Sequence, residues 1–220
     1  MATAKGVGLV ERVGKVLLSP REQIRQSIHE RRSPLEPILL GSLISGVNGA
    51  LLAAAFIQLS LRLFLGFIPL FPPSLLSSVV SSGIVAGLAV AFVVSVLIAG
   101  LIVAAIMHFA AKILGGHGSY SESVMVVFYS ILPYGFVALP LLLALVAPLP
   151  MLILAGGFTL VAFVWQVYML FEGIKEVYGI DTSKTVLVLL APLILAILLV
   201  ALLSAWALLF STFARGGFLV

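Results

Sequence analysis

His108, Arg62, Glu172 and Lys175 are the ionisable residues that fall within or at the ends of this chain's long apolar runs. An ionisable group at membrane depth is by default a functional group. Each of these, however, lies close enough to an end of its run to reach water along its own stem or ring. Asn48, Gln58 and Gln166 sit deeper, where an amide more commonly bonds one helix to another than holds a substrate. His29, His108 and His117 are too scattered for a metal site. No HExxH, GxSxG, paired aspartates or P-loop occurs. The chain has 0 cysteines, which removes disulfides, thiolate metal sites and cysteine nucleophiles. His108, the best-placed catalytic candidate, has no acid within one or two helical turns. The sequence therefore predicts no enzyme, no metal and no cofactor.

The most individual stretch is Gly115-Gly116-His117-Gly118-Ser119-Tyr120-Ser121-Glu122, followed by Tyr129-Ser130-Ile131-Leu132-Pro133. The glycines allow a tight turn with positive φ. Ser119 and Glu122 have the spacing of a capping box at a helix start. Tyr129 and Pro133 are four apart, which predicts one shared helix face. Read from the residues alone, this is a tight hairpin followed by a packed, kinked helix. A glycine turn before a helix N-terminus is also a place for an anion such as a lipid phosphate, but Lys112 is the one basic residue near it.

The elements that position these residues are long. Apolar stretches run over 37–61, 79–111, 124–146, 151–171 and 186–213. Crossing about 30 Å of hydrocarbon takes around 20 apolar residues as helix, and in lipid a helix satisfies its own backbone hydrogen bonds segment by segment. The fold class is thus all-α: a polytopic membrane protein with five transmembrane helices, over about 37–65, 79–113, 120–147, 150–177 and 183–213, preceded by short cytoplasmic interfacial helices. Two regions follow, 1–33 and 34–220. At 62% hydrophobic and 9% charged, the chain has no length left for a second folded domain. The first 33 residues are charged and lack an apolar run, so no cleaved signal peptide is expected and the first span acts as an uncleaved anchor.

Charge sets the expected orientation. Of 12 basic residues, Lys5, Arg12, Lys15, Arg21, Arg25, Arg31 and Arg32 precede the first span, and Lys112, Lys175 and Lys184 fall in connections on the same side. Arg62 and Arg215 remain for the other side, and all 8 acidic residues fall on the basic side. Basic residues are retained in the cytoplasm, which predicts N-terminus in and C-terminus out. The seven N-terminal basic residues, interleaved with Glu11, Glu22 and Glu30, fit contact with anionic headgroups or with a partner. The net charge of +4 so distributed argues against nucleic acid.

Val7, Val10, Val13 and Leu17 mark a short interfacial helix over 7–18. Ser19-Pro20-Arg21-Glu22 and Ser33-Pro34-Leu35-Glu36 each read as a helix start, with a serine cap, a proline at the first position and a glutamate at the third. Between them, Pro20–Arg32 is polar except for Ile24 and Ile28, which predicts a solvated helix tucked against the cytoplasmic face or a docking surface. Gly46 and Gly49 in the first span, and Gly83 and Gly87 in the second, lie on ridges of small residues that let helix backbones approach. Packing of these two spans on each other is expected, with a homodimer as the alternative. The connection 66–78 holds Pro69, Pro72 and Pro73 and is expected to dip into the interface. Pro133, Pro140 and Pro192 are each expected to kink or unwind their helix.

The joint order of Gly115, Gly116, Gly118, Tyr129 and Pro133 within a five-span plan resembles the Yip domain family, multi-pass membrane proteins named for interaction with Ypt/Rab GTPases. The short polar link at 172–184 and the Leu-Leu-Ser-Pro-Arg-Glu opening at 17–22 add to this, the latter being similar to starts of prokaryotic members. The resemblance covers about residues 15–213. It implies a cytoplasmic N-terminus, a role in Golgi and ER traffic for eukaryotic members, and complexes with related membrane proteins. The N-terminal region here lacks the long cytosolic extension of those members, which counts against GTPase binding and points to a prokaryotic plasma membrane, with a Golgi or ER membrane as the alternative.

Two functions compete on this reading. One is a non-enzymatic scaffold or adaptor that organises partner membrane proteins, or a homo-oligomer, or shapes the lipid bilayer. The other is a transporter or lipid-moving, scramblase-like protein, with kinked spans, Asn48 and Gln166 along a path.

Overall fold

A computed structural model describes residues 9–29, 33–65 and 73–216. Lys5, Arg31 and Arg32, and the prolines at Pro69 and Pro72, lie outside the described residues. The elements are α1 (Leu9–Leu18), α2 (Pro20–His29), α3 (Leu35–Leu65), α4 (Pro73–Ile113), α5 (Tyr120–Tyr129), a 3₁₀ helix (Leu132–Val137), α6 (Ala138–Leu143), α7 (Pro148–Tyr178) and α8 (Thr182–Gly216). Among the described residues, five helical segments are long and apolar enough to cross a membrane.

The third span is the central one. Of its most apolar stretch 61% is buried inside the protein, against 6% for the fifth. It is also not one continuous helix. Pro133 has no N–H to return to the preceding turn, so α5 ends at Tyr129 and the chain tightens: Ile131 N–H donates to Phe128 O at 3.2 Å and Tyr134 N–H to Ile131 O at 3.0 Å. Tyr129 and Pro133 are both buried, but they belong to two segments rather than one helix face. The other prolines differ. Pro140 falls in the first turn of α6 and Pro73 starts α4, positions where a missing N–H costs nothing. Pro192 sits inside α8 without ending it. The connection expected over 66–78 is therefore shortened, since helix begins at Pro73.

Two chain reversals are built by caps. Gly179, at φ +62°, closes α7 in the left-handed conformation and donates to Lys175 O at 3.0 Å. Asp181 then caps α8, its carboxylate accepting Lys184 N–H at 2.9 Å. Because α7 continues to Tyr178, the polar link expected over 172–184 is reduced to three residues.

The α3–α4 contact is the most extensive between helices. Gly46 and Gly49 make it: a Cβ on Gly46 would come within 2.8 Å of Val93, and one on Gly49 within 2.6 Å of Phe92. Gly83 and Gly87 take no part, with nothing within 4 Å of either. The α3 ridge thus meets the bulky middle of α4, and the small-residue ridge of α4 faces outward.

The main core joins Ala104, Met107 and Ala111 of α4, Val124, Val126, Val127 and Phe128 of α5, Ile174 and Tyr178 of α7, and Val188 of α8. This core sits at the end of the bundle that carries α1 and α2, called here the charged end.

Candidate functional site

At the charged end, the glycine turn meets the last turn of α7. Gly115 adopts φ +86°, the left-handed region that favours glycine. Gly116 and Gly118 serve by close approach instead. A Cβ on Gly116 would lie 2.9 Å from Tyr178 Cβ, and one on Gly118 would lie 2.5 Å from Val177 Cγ1 and 2.9 Å from Val177 O. His117 N–H donates to Tyr178 O at 3.2 Å across this seam. Ser119 then opens α5 with a complete capping box: its Oγ accepts Glu122 N–H at 3.3 Å while Glu122 Oε2 accepts Ser119 N–H at 2.6 Å.

Tyr178 is the residue the sequence did not single out. It is 1% exposed. Its hydroxyl lies 2.6 Å from His108 Nδ1 and 3.1 Å from Ser123 Oγ. The hydroxyl donates to Ser123 Oγ, which leaves its lone pair for the His108 ring, and the three side chains form one chain of hydrogen bonds. The ring of Tyr120 stands edge-on to His108, centroids 6.0 Å apart. A serine, a tyrosine and a histidine in one chain of hydrogen bonds resemble a nucleophile relay, but Ser123 is 0% exposed and no substrate reaches it. The arrangement clasps α4, α5 and α7 together. Among the described residues, no three His, Asp or Glu side chains converge as a metal-binding group.

The N-terminal helices dock on this end. On α1, Val16 is buried, and Val13 and Leu17 of the expected stripe are half-buried beside it. Leu17 O accepts the Trp165 Nε1 hydrogen at 3.2 Å. On α2, Ile24 is 2% exposed and packs where Gly173 leaves room; a Cβ on Gly173 would lie 3.0 Å from Ile24 Cδ1. α2 is therefore anchored in the core, not a fully solvated helix.

Of the basic residues expected at a membrane or partner surface, several are engaged within the chain. Arg21 Nε lies 3.0 Å and Arg25 Nε 3.5 Å from the Glu176 carboxylate, and Lys15 Nζ lies 2.7 Å from Glu11. The hydrogen bond and charge of Glu176 push the Arg21 guanidinium further above its ordinary value. These guanidinium groups are largely exposed, so solvent screens the pairs and they add little to stability. Burying an isoleucine contributes about 1.5–3 kcal/mol. Ile24, not the ion pairs, holds α2 down. Arg12 lies on α1.

Deeper in the bundle, a cavity of about 400 Å³ lies between α3, α4, the broken third span and α7. Asn48 and Gln166 both line it, and both act between helices. Asn48 Nδ2 donates to Tyr134 O at 2.8 Å, and the Tyr134 hydroxyl donates to Gln166 Oε1 at 3.0 Å. A second, apolar cavity of about 310 Å³ lies under the end of α1, against Pro133, Phe158 and Trp165.

A family model of the Yip1 domain matches residues 14–205. The chain belongs to the Yip1 domain family. The match begins within α1 and ends within α8, so the docked N-terminal helices and all five spans are part of the Yip1 domain. The chain matches no curated protein and no solved structure. Within this Yip1 domain, Gly115, Gly116 and Gly118 converge with Tyr178 and His108 into one clasp, whereas Tyr129 and Pro133 lie farther along the third span, at its break.

Proposed function

We propose that this Yip1-domain membrane protein is a non-enzymatic scaffold or adaptor that organises partner membrane proteins through its charged end. The observation that carries this reading is the fixed presentation of α1 and α2: Ile24 seats α2 in the core, and the two helices present Glu11, Lys15 and Glu22 outward. On the charge distribution, this end faces the cytoplasm and the C-terminus lies outside, and the membrane is a prokaryotic plasma membrane. Lys5, Arg12, Arg31 and Arg32 add contacts to anionic lipid, each about 1 kcal/mol near a charged surface.

The test is affinity purification from native membranes in mild detergent. Full-length protein is compared with a Lys5→Gln/Arg12→Gln/Arg31→Gln/Arg32→Gln variant and with a chain lacking residues 1–32. A stoichiometric membrane-protein partner lost in the altered chains supports the reading. Retention of every partner by both overturns it. A lipid-moving role is favoured by one observation, the cavity lined by Asn48 and Gln166. Scrambling of labelled lipid in proteoliposomes at the rate of empty liposomes would exclude that role.

A further inference from the structure

The 400 Å³ cavity has a particular chemistry. No Asp, Glu, Lys, Arg or His lines it. Its polar atoms form one strip, Ser45, Asn48, Ser130, Tyr134 and Gln166, in an otherwise apolar wall. Most of their hydrogens are already committed. Ser45 Oγ donates to Gly41 O at 2.8 Å, Ser130 Oγ to Val127 O at 2.7 Å, and the Tyr134 hydroxyl to Gln166 Oε1. What the strip leaves open is acceptor capacity on the Ser45 and Tyr134 hydroxyl oxygens, together with the amide hydrogens of Gln166; Ser130 is fully enclosed, and Asn48 Oδ1, buried with no hydrogen-bond partner, lies out of the cavity's reach.

The cavity also has a side. Val96, Ala99 and Val103 of α4 line it opposite Gln166 and Leu170 of α7, and α4 and α7 make no extensive contact with each other. α8 touches both, but Thr185 and Val188, its buried residues, lie near its start. From Leu193 to Leu199 α8 is exposed. At 1.5 Å per residue those positions lie roughly as far from the charged end as Val96–Val103 do. The gap between α4 and α7 is thus uncovered at the depth of the cavity, and it opens toward hydrocarbon.

We propose that this cavity binds the uncharged, hydroxyl-bearing head of a membrane lipid of the diacylglycerol or lipid-alcohol class, with its chains leaving between α4 and α7. A hydroxyl both donates to the Ser45 or Tyr134 oxygen and accepts from Gln166. A phosphate or carboxylate head would bring a charge with no cation to meet it and no proton to give. The volume lies at the small end of ligand pockets, which run from about 300 to 1,000 Å³, so the site holds a head and the first carbons while the tails stay in lipid. This inference concerns binding and stands apart from both the scaffold and the lipid-moving readings.

The experiment uses the full chain in phosphatidylcholine nanodiscs with two photoreactive probes. One is a diacylglycerol and the other a phosphatidylcholine, with the same diazirine near the glycerol end of one chain. The diacylglycerol probe is expected to label peptides containing Val96–Val103 and Gln166–Leu170 in preference to the phosphatidylcholine probe. Gln166→Leu is expected to lower that labelling about fivefold, the effect of one hydrogen bond. Ala99→Phe, which fills the cavity from α4, is expected to remove it without shifting the melting temperature. Equal labelling by the two probes would overturn the proposal and leave water as the occupant. So would labelling spread evenly onto exposed α8 residues such as Leu198, or labelling unchanged by Gln166→Leu and Ala99→Phe.

Discussion

In the packed interior of the bundle, a methyl group added to Gly49, Gly100, Gly116, Gly118 or Gly173 would come closer than 3.0 Å to Phe92, Phe128, Tyr178, Val177 or Val126. On the outer faces of α4 and α7, a methyl group on Gly83, Gly87, Gly156 or Gly157 would meet nothing within 4 Å. The same residue type, in helices of similar apolar composition, does opposite things. In the interior glycine makes room for a neighbour's side chain. On the outer faces it leaves a smooth surface for lipid. Composition alone assigns both sets the same role, because small residues at four-residue spacing favour close packing wherever a partner helix is present. What distinguishes them is the partner: Phe128, Val126 and Tyr178 each project into the space a glycine vacates, and no comparable side chain faces Gly83 or Gly87.

This contrast can be broken in order of expected size. Ile24→Ala should have the largest effect, about 2–5 kcal/mol for removing a buried aliphatic side chain. Hydrogen exchange should show α1 and α2 losing protection together, while α6 and the lower part of α7 keep theirs. Uniform loss of protection would mean the two ends are not separate in stability. Next, Gly118→Val should cost about 1–3 kcal/mol through overpacking against Val177, whereas Gly87→Val should be near neutral. Thermal unfolding in one detergent measures both, and equal shifts would erase the distinction drawn from the glycines.

Tyr178→Phe keeps the ring but strands His108 and Ser123, which should cost about 1–3 kcal/mol. A stability matching the parent would mean that water replaces the phenol without loss. The smallest effect is expected for Glu176→Gln, below about 1 kcal/mol and shrinking with added salt, since its arginine partners are mostly exposed. Trp165 fluorescence in a Trp206→Phe background should then be nearly unchanged, because Ile24 still seats α2. A large change would shift the credit for docking to the ion pairs.

Much of this architecture was legible before any coordinates. Five spans followed from apolar run length, and the Ser119–Glu122 capping box and the positive φ at Gly115 followed from local spacing, because each depends on residues within one turn of each other. The break at Pro133 was legible for the same reason, while the harmless positions of Pro73 and Pro140 were not, since they depend on where the helix starts. Tyr178 was invisible because its partners are 55 and 70 residues away. Its one local signal was a tyrosine placed directly before a glycine at a helix end. Ile24 stands out in the sequence as half of an apolar pair on a polar helix, yet its burial depends on Gly173, which nothing in the sequence links to it. Asn48 and Gln166 were expected to bridge helices and do so, but the cavity beside them required knowing that α4 and α7 stand apart.

α8 carries a mechanical consequence. It is gripped near its base, where Thr185 and Val188 are buried, and from Leu193 through Ala207 every residue is exposed. Leu193 to Ala207 spans about 21 Å at 1.5 Å per residue. A rod clamped at one end is a cantilever: tilting it by 10° about Leu193 would swing Ala207 by roughly 4 Å through the lipid while leaving the clamp intact. Displacements too small to register at the charged end would thus be read out, several-fold enlarged, on the opposite side of the membrane.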